Sequence, residues 1–156
     1  MTESPFVTLL VDDNEHDAAA MRRAWRRGEI DHPLYTVDDG QSCLDYLNQV
    51  SPYGDLVAAP MPSLILLDMQ LPDLLGLDVL RIIRNDLRMY HIPVVLISGV
   101  ARPEDFQEAA LLGANAFLEK PSDYEAFSNM IWATVEFWRH NRFPHPALLG
   151  RASRAA

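Results

Sequence analysis

The apolar residues of this chain fall into five short runs, separated by longer stretches in which apolar positions recur with a helical period. Two runs, at residues 63–68 and 92–97, are almost continuously aliphatic, which is typical of strands covered on both faces in a parallel sheet. The other runs span residues 6–11, 34–37 and 114–118. The pattern therefore predicts five strands.

The stretches that follow the strands predict five helices. Asn14 is a favoured helix cap, and Gly28 ends the first helix. The other helices are expected over about residues 41–49, 74–87, 103–113 and 122–140. The positions expected to face the core are Leu77, Leu80, Ile83 and Leu87 in the third helix and Phe127, Ile131, Val135 and Trp138 in the fifth. Alternation of strands and helices predicts an α/β fold with a doubly wound parallel sheet.

Two segments fall outside this alternation. Residues 50–62 contain three prolines and a glycine and show no period, which predicts a long loop. Residues 141–156 are rich in small residues and interrupted by prolines, so we expect a short flexible tail after one domain at residues 1–140. Only about 16 residues follow the last helix, so we expect no output domain.

The net charge of −9 is unevenly distributed. Residues 139–156 hold four arginines and no acid, which leaves −13 on residues 1–138. An acidic main body argues against binding to nucleic acid or to an anionic membrane. Cys43 is the only cysteine, which excludes an intramolecular disulfide and favours a reducing, cytoplasmic location. No apolar stretch approaches the roughly 20 residues that a membrane helix needs.

Polar residues stand where four of the five strands end. Asp12 and Asp13 follow the first strand, Asp68 ends the third, Ser98 the fourth and Lys120 the fifth. Ligands of open parallel sheets bind outside the carboxyl ends of the strands. We therefore expect these five side chains to lie together at one edge of the sheet.

Three carboxylates at such an edge repel one another, and a hard divalent cation would relieve the repulsion. Magnesium fits best, because it prefers oxygen ligands and is commonly held by one or two carboxylates plus a phosphate. Lys120 would supply a positive charge for phosphate, and Ser98 a hydroxyl donor. Such a site suits the making and breaking of an aspartyl phosphate.

Four segments together resemble the receiver domain of two-component response regulators: VDD at 11–13, LLDMQLPDLLGLDVL at 66–80, VVLISG at 94–99 and FLEKP at 117–121. Each segment alone is a weak signal, but their order and spacing are specific, and the resemblance covers about residues 5–140. It implies a flavodoxin-like five-stranded sheet in the order 2-1-3-4-5. It also implies a stand-alone response regulator of a phosphorelay, which is not an enzyme and signals through a changed protein–protein surface.

The resemblance gives the acids their roles. Asp68 would be the phosphoacceptor, which takes a phosphoryl group from a sensor histidine kinase. Asp13 would bind Mg²⁺ directly and Asp12 largely through water. Asp68 and the backbone carbonyl of Gln70 would be further ligands of the ion.

It also gives roles to the remaining positions. Lys120 would pair with the phosphoryl oxygens and precede a cis bond to Pro121. The hydroxyl of Ser98 would move onto the phosphoryl group, and the ring of Phe117 would switch between two rotamers. Phe117 lacks the hydroxyl of the tyrosine often found there. Leu75 and Gly99 also depart from the family, which often has an acid and an alanine at these positions.

A finer resemblance concerns the partner. The 50–62 loop, the segment VDDGQSCLDYL and the pair Phe137-Trp138 look like the single-domain receivers that serve bacterial phytochrome kinases. Trp132 lies about 100° from the apolar stripe of the last helix, so we expect it on the surface. In receivers, the face of helix 4, strand 5 and helix 5 often dimerises, and we expect a homodimer there that uses Trp132.

Three other classes are weaker. A hydrolase of the haloacid dehalogenase kind needs a second acid two residues after its nucleophile, and this position is Gln70. A dinucleotide-binding domain needs a glycine-rich turn after the first strand, which is absent. An adaptor that acts without phosphorylation would bind its partner equally well after Asp68→Ala.

Five histidines show no metal-ligand spacing and are expected to be solvated: His16, His32, His91, His140 and His145.

Overall fold

The computed structural model describes residues 5–141, in which five parallel strands alternate with five helices. The strands are β1 (Thr8–Val11), β2 (Leu34–Val37), β3 (Leu64–Asp68), β4 (Val94–Ser98) and β5 (Ala116–Glu119). The helices are α1 (Glu15–Arg27), α2 (Gly40–Asn48), α3 (Gly76–Arg84), α4 (Pro103–Leu111) and α5 (Tyr124–His140). The sheet order is β2-β1-β3-β4-β5, which confirms the predicted flavodoxin-like topology.

The continuous aliphatic runs are explained by two hydrophobic cores, one on each face of the sheet. In β3, Ile65 and Leu67 pack into the core under α2, α3 and α4, whereas Leu64 and Leu66 pack into the core under α1 and α5. Successive side chains of a strand point to opposite faces, so a strand covered on both faces needs an apolar residue at every position. All five residues of β3 are buried.

The core-facing stripe predicted for α5 is confirmed, because Phe127, Ile131, Val135 and Trp138 are buried. The prediction for α3 is wrong at its end. This helix stops at Arg84 with Asn85 as its C-cap, and Leu87 lies beyond the helix with 85% of its surface exposed. The helical period continues by chance across the turn, so spacing alone placed Leu87 on the wrong side.

The expectation that His32 is solvated is also wrong. The ring is buried, and its Nε2 lies 3.1 Å from the hydroxyl oxygen of Thr8. Its backbone carbonyl accepts a hydrogen bond of 2.8 Å from the indole of Trp25, and Phe6 packs edge-on against the imidazole. Burial lowers the pKa of His32, so the ring is neutral at physiological pH.

The segment between α2 and β3 is a loop, as predicted for residues 50–62. Of the expected tail, residues 142–156 lie outside the described residues, and the domain boundary at residue 140 stays a prediction. Over residues 5–141, none of the helices has both the length and the apolarity needed to cross a bilayer.

Candidate functional site

An open cleft of about 830 Å³ lies at the carboxyl edge of the sheet. Residues from the loops after β1, β3, β4 and β5 line it, together with the first turn of α1. Its acidic and basic side chains are those of Asp13, Glu15, Asp17, Asp68 and Lys120, and His16 also lines it. The parallel arrangement thus brings groups from distant parts of the chain to one place, as expected for this edge.

The Lys120 ammonium lies at the centre of this site. Its Nζ is 3.2 Å from Oδ2 of Asp68, 3.3 Å from Oδ2 of Asp12 and 2.8 Å from Oδ2 of Asp17. Asp12 and Asp68 are buried, and the lysine side chain is only 15% exposed. The three residues predicted from strands β1, β3 and β5 are therefore in direct contact.

The two buried carboxylates are held in the same manner. Oδ1 of Asp12 accepts a hydrogen bond of 2.9 Å from the backbone N–H of Asn14, and Oδ1 of Asp68 accepts one of 2.9 Å from Gln70. Such bonds to the N–H two residues on are typical of aspartates at turns. They leave Oδ2 of each carboxylate facing Lys120.

Asp17 is a site residue that the sequence reasoning missed. The side chain of Asn14 accepts hydrogen bonds from the backbone N–H groups of His16 and Asp17, so α1 begins directly after β1. The sequence did contain a signal for Asp17. It is an acid in the first turn of a helix that begins just after a strand with site residues at its end.

Burial and charge act in opposite directions on the groups of the site. Burial alone would lower the pKa of Lys120, but the hydrogen bond to Asp17 and the charges of Asp12 and Asp68 raise it above its usual value. The amine is therefore charged at neutral pH. Burial raises the pKa of Asp12 to about 6, even though the N–H of Asn14 and the charge of Lys120 oppose the shift.

The residues present fit a hard divalent cation. Asp12, Asp17 and Asp68 each offer a carboxylate oxygen, and these oxygens lie within 4.8 Å of one another. Asp13 is exposed and lines the cleft, as does Gln70. Oxygen donors of this kind suit Mg²⁺ or Mn²⁺ rather than a soft metal ion. The ligand roles of Asp12, Asp13, Asp68 and the Gln70 carbonyl stay predictions.

Ser98 ends β4 and is 2% exposed. Its hydroxyl donates a hydrogen bond of 2.6 Å to the carbonyl of Val100 and accepts one of 3.2 Å from the N–H of Val100. The hydroxyl is therefore engaged by the loop that follows β4. It would have to leave the Val100 carbonyl in order to donate to a phosphoryl group.

Phe117 lies in β5 and is partly buried against the core under α2, α3 and α4. Its ring centroid is 4.4 Å from that of Phe106 in α4, and Phe106 is 41% exposed. The predicted switch residue thus contacts a surface residue of α4 directly. Its role as a switch stays a prediction.

One expectation for the residues after β5 differs from the structure. Ser51–Pro52 is the cis peptide bond among residues 5–141, so the predicted cis bond between Lys120 and Pro121 is wrong. Both isomers of a bond before proline are accessible, and local sequence does not determine which is adopted.

Trp132 is 48% exposed, as predicted. Its Cδ1 lies 2.8 Å from the position that a Cβ on Gly28 would occupy, at the end of α1. The helical stripe gave the rotation of Trp132 from the core, but not its neighbour on α1. Its part in a homodimer interface stays a prediction.

The loop that follows Asp68 is held in place by Gly76 at the start of α3. A Cβ at this position would lie 2.8 Å from Cα of Met69 and would also clash with the carbonyl oxygen of Asp68. The N–H of Gly76 donates a hydrogen bond of 2.9 Å to the carbonyl of Met69. Only glycine permits this approach of α3 to the end of β3.

A sequence model described as the response regulator receiver domain matches residues 8–131. The chain belongs to the receiver family of response regulators. Receivers are signalling domains, and they bind a divalent metal ion at an acidic pocket of this kind.

Two relatives match over most of their length. The probable methanogenesis regulatory protein FilR2 of Methanothrix harundinacea is 33% identical, over 93% of this chain and 92% of its own. Response regulator Rcp1 of Synechocystis is 31% identical, over 86% of this chain and 89% of its own.

Solved structures agree with these matches. The phosphorylated cyanobacterial phytochrome response regulator RcpA superposes with a TM-score of 0.82 at 29% identity, covering 90% of this chain and 98% of its own. The Mn²⁺-bound form of Rcp1 superposes with a TM-score of 0.81 at 30% identity, covering 90% of this chain and 100% of its own. The chain is thus similar to phytochrome response regulators, as its sequence suggested.

Proposed function

We propose that this protein accepts a phosphoryl group on Asp68 from a sensor histidine kinase, in a reaction that depends on Mg²⁺. The observation that carries the proposal is the contact of 3.2 Å between Lys120 and Asp68 at the floor of an open cleft. The family membership of the chain supports it.

The chemistry follows from the position of Asp68. A carboxylate oxygen of Asp68 attacks the phosphorus of a phosphohistidine, and the bond from phosphorus to the imidazole nitrogen breaks. The electron pair of that bond stays on the nitrogen, which then takes a proton from solvent. Lys120 lies close enough to Asp68 to offset the negative charge of the transferred group.

Asp12, Asp13, Asp68 and the carbonyl of Gln70 are the proposed metal ligands. A Mg²⁺ ion bound there supplies positive charge that stabilises the phosphoryl oxygens. Asp12 and Asp68 already have one oxygen fixed by a backbone N–H, so they are oriented before any ion binds.

The output is a change of surface rather than an enzymatic reaction on another substrate. A phosphoryl group adds about −1.5 to −2 charge beside Ser98. Movement of the Ser98 hydroxyl away from Val100 would free space and hydrogen-bonding partners in the loop after β4. Phe117 touches Phe106, so a change of its rotamer reaches the exposed side of α4.

Intact mass after incubation with acetyl phosphate and Mg²⁺ tests the proposal. Wild type is expected to gain one phosphoryl group and Asp68→Ala none. Asp55→Ala, which changes an acid in the long loop, serves as the matched control and should behave as wild type. Phosphorylation of Asp68→Ala, or no gain in folded wild type, would contradict the proposal.

The partner kinase is proposed to be a bacterial phytochrome, because the chain is similar to Rcp1 and RcpA. The similarity to FilR2 makes a kinase of another pathway the alternative. Phosphotransfer from a purified phytochrome kinase in its two light states is the direct measurement. The same rate in both states, or no transfer at all, would favour the alternative.

A homodimer through α4, β5 and α5 is the second part of the proposed output. Phe106 and Leu111 are exposed on this face, with Leu111 88% accessible. Light scattering at micromolar concentration should show a dimer in at least one phosphorylation state, and Phe106→Arg should abolish it. Leu87→Arg changes an equally apolar, exposed residue near α3 and should leave the dimer intact. A monomer in both states would exclude the dimer.

A further inference from the structure

Asp17 is the nearest of the three carboxylates around Lys120, at 2.8 Å, and yet it does not belong to a strand end. Its side chain is 35% exposed, whereas those of Asp12 and Asp68 are 4% and 11% exposed. It projects from the first turn of α1 into the mouth of the cleft. The ammonium is thus held between two buried acids and one acid at the entrance.

The three acids have different roles in the proposed reaction. An ammonium has three N–H donors, and here each faces one carboxylate. Metal binding draws on Asp12 and Asp68, and phosphorylation converts an oxygen of Asp68 into an ester-like one. Two of the three partners of Lys120 therefore change as the reaction proceeds, whereas the Asp17 carboxylate does not.

We propose that Asp17 is a positioning residue, which keeps the Lys120 ammonium beside Asp68 when Asp12 and Asp68 engage the metal ion and the phosphoryl group. This inference rests on the proposed function. Asp17 would touch neither the reacting atoms nor the transferred group, and it would act through Lys120. A four-carbon side chain without this anchor would spend time in other rotamers at the cleft mouth.

Asp17→Asn tests the proposal, because it keeps the shape of the side chain and removes the charge. We expect the rate of phosphorylation by acetyl phosphate at saturating Mg²⁺ to fall by about five-fold or more. Removal of a negative charge alone would favour an anionic donor, so electrostatic attraction predicts the opposite sign. Asp17→Glu, which restores the carboxylate, should recover part of the rate.

Glu15→Gln is the matched control. Glu15 lies in the same turn of α1 and lines the same cleft, but it is not among the ion-pair partners of Lys120 in the described part of the chain. The rate at which acetyl phosphate phosphorylates Glu15→Gln should stay within about two-fold of the wild-type rate. Equal losses in Asp17→Asn and Glu15→Gln would show a general effect of the acidic helix end and overturn the proposal.

A double-mutant cycle with Lys120→Ala separates positioning from other effects. If Asp17 acts through Lys120, Asp17→Asn should change the rate by less than about two-fold once the lysine is absent. The same loss in both backgrounds would overturn the proposal. A fall in Mg²⁺ affinity, with a normal rate at saturating Mg²⁺, would instead make Asp17 a metal ligand and would also overturn it.

Lys120 is the only lysine of the sequence, so lysine labelled with ¹³C and ¹⁵N gives a single side-chain signal in NMR spectra. In the metal-free protein at fixed pH, Asp17→Asn should shift this signal and speed exchange of the ammonium protons with water, and Glu15→Gln should do neither. An unchanged signal would refute the anchor. Since this measurement needs no phosphorylation, it separates failure of the inference from failure of the proposed function.

Discussion

At the scale of single residues, two glycines near the site have opposite surroundings. A Cβ on Gly99, after β4, would meet no atom within 4 Å. A Cβ on Gly40, at the start of α2, would lie 2.9 Å from Cβ of Leu74 and 3.0 Å from Cγ2 of Val79. Neither residue has a positive φ, so the space around each decides whether alanine fits.

Gly99→Ala is therefore expected to stabilise the protein by about 0.4–1 kcal/mol, because it restricts the unfolded chain without a clash. Gly40→Ala should destabilise it by about 1–3 kcal/mol, because Leu74 and Val79 must move. Urea denaturation of both variants, with unchanged m-values, measures the difference. A destabilised Gly99→Ala or a stabilised Gly40→Ala would contradict the assignment.

Single residues show where sequence reasoning stops. Asp12, Asp68, Ser98 and Lys120 could be predicted because each follows a recognisable strand, and strand ends of a parallel sheet share an edge. Asp17 lies in the first turn of a helix and follows no strand directly, so the rule about strand ends does not reach it. His32 is buried through Thr8 and Trp25, and periodicity carries no information about such partners.

At the scale of secondary-structure elements, Asp73 joins the loop after β3 to α2. Its Oδ1 accepts a hydrogen bond of 2.8 Å from the N–H of Gly40, and its Oδ2 one of 2.8 Å from that of Gln41. Asp39 caps the same helix through a bond of 2.6 Å from the N–H of Ser42. A carboxylate at a helix N-terminus is favoured by the helix dipole. The loop that follows Asp68 is thus tied to a second element.

Asp73→Asn should destabilise the protein by about 1 kcal/mol at neutral pH, a value kept small because the group is exposed. Slight burial acts to raise the pKa of Asp73, but the N–H groups of Gln41, Gly40 and Leu74 lower it. A lowered pKa means that the carboxylate stabilises the fold above its unfolded pKa, and that this contribution is lost as the pH falls through the folded value. The difference in free energy of unfolding between wild type and Asp73→Asn should therefore become smaller at acid pH.

Chemical denaturation at pH 7 and near pH 3 measures this change. Asp38→Asn is the matched control, since Asp38 lies in the neighbouring turn and none of the side-chain hydrogen bonds found over residues 5–141 involves it. Equal effects of the two substitutions at pH 7 would show that general charge, and not the contact with α2, is responsible.

The presence of each strand and helix was predicted more completely than the residues at which it begins and ends. The alternation of apolar runs gave all five strands, and Gly28 ended α1 as expected. Helix α3 is shorter than predicted, because its C-cap at Asn85 carries no strong signal in the sequence. The side of α5 that bears Trp132 depends on how α5 packs against α1, which is a tertiary property.

At the scale of the whole molecule, we expect the acidic site to lower global stability. Asp12 is 7% exposed and lies beside Asp68, and Lys120 supplies the only cationic partner within the described site. Burial of a carboxylate without full compensation costs free energy. The same charges that prepare the cleft for a cation therefore oppose folding when no cation is bound.

Asp12→Asn is expected to stabilise the metal-free protein at neutral pH. Burial raises the pKa of Asp12 from 3.8 to about 6, so the proton binds more tightly in the folded state. The contribution of such a group is fully present below the unfolded pKa and is lost as the pH rises through the folded value. The uncharged amide of Asp12→Asn avoids this loss. Its free energy of unfolding should therefore exceed that of wild type by about 1–3 kcal/mol above pH 6, and the difference should vanish near pH 4.

Denaturation of wild type and Asp12→Asn in the presence of EDTA, from pH 4 to pH 8, measures this pH dependence. The curves for the two proteins should meet in acid and separate as the pH rises, whereas Asp38→Asn should follow wild type throughout. Parallel curves would mean that Asp12 is ionised in the folded state over the whole range. In that case Lys120 would fully compensate the buried charge, and the site would not oppose folding.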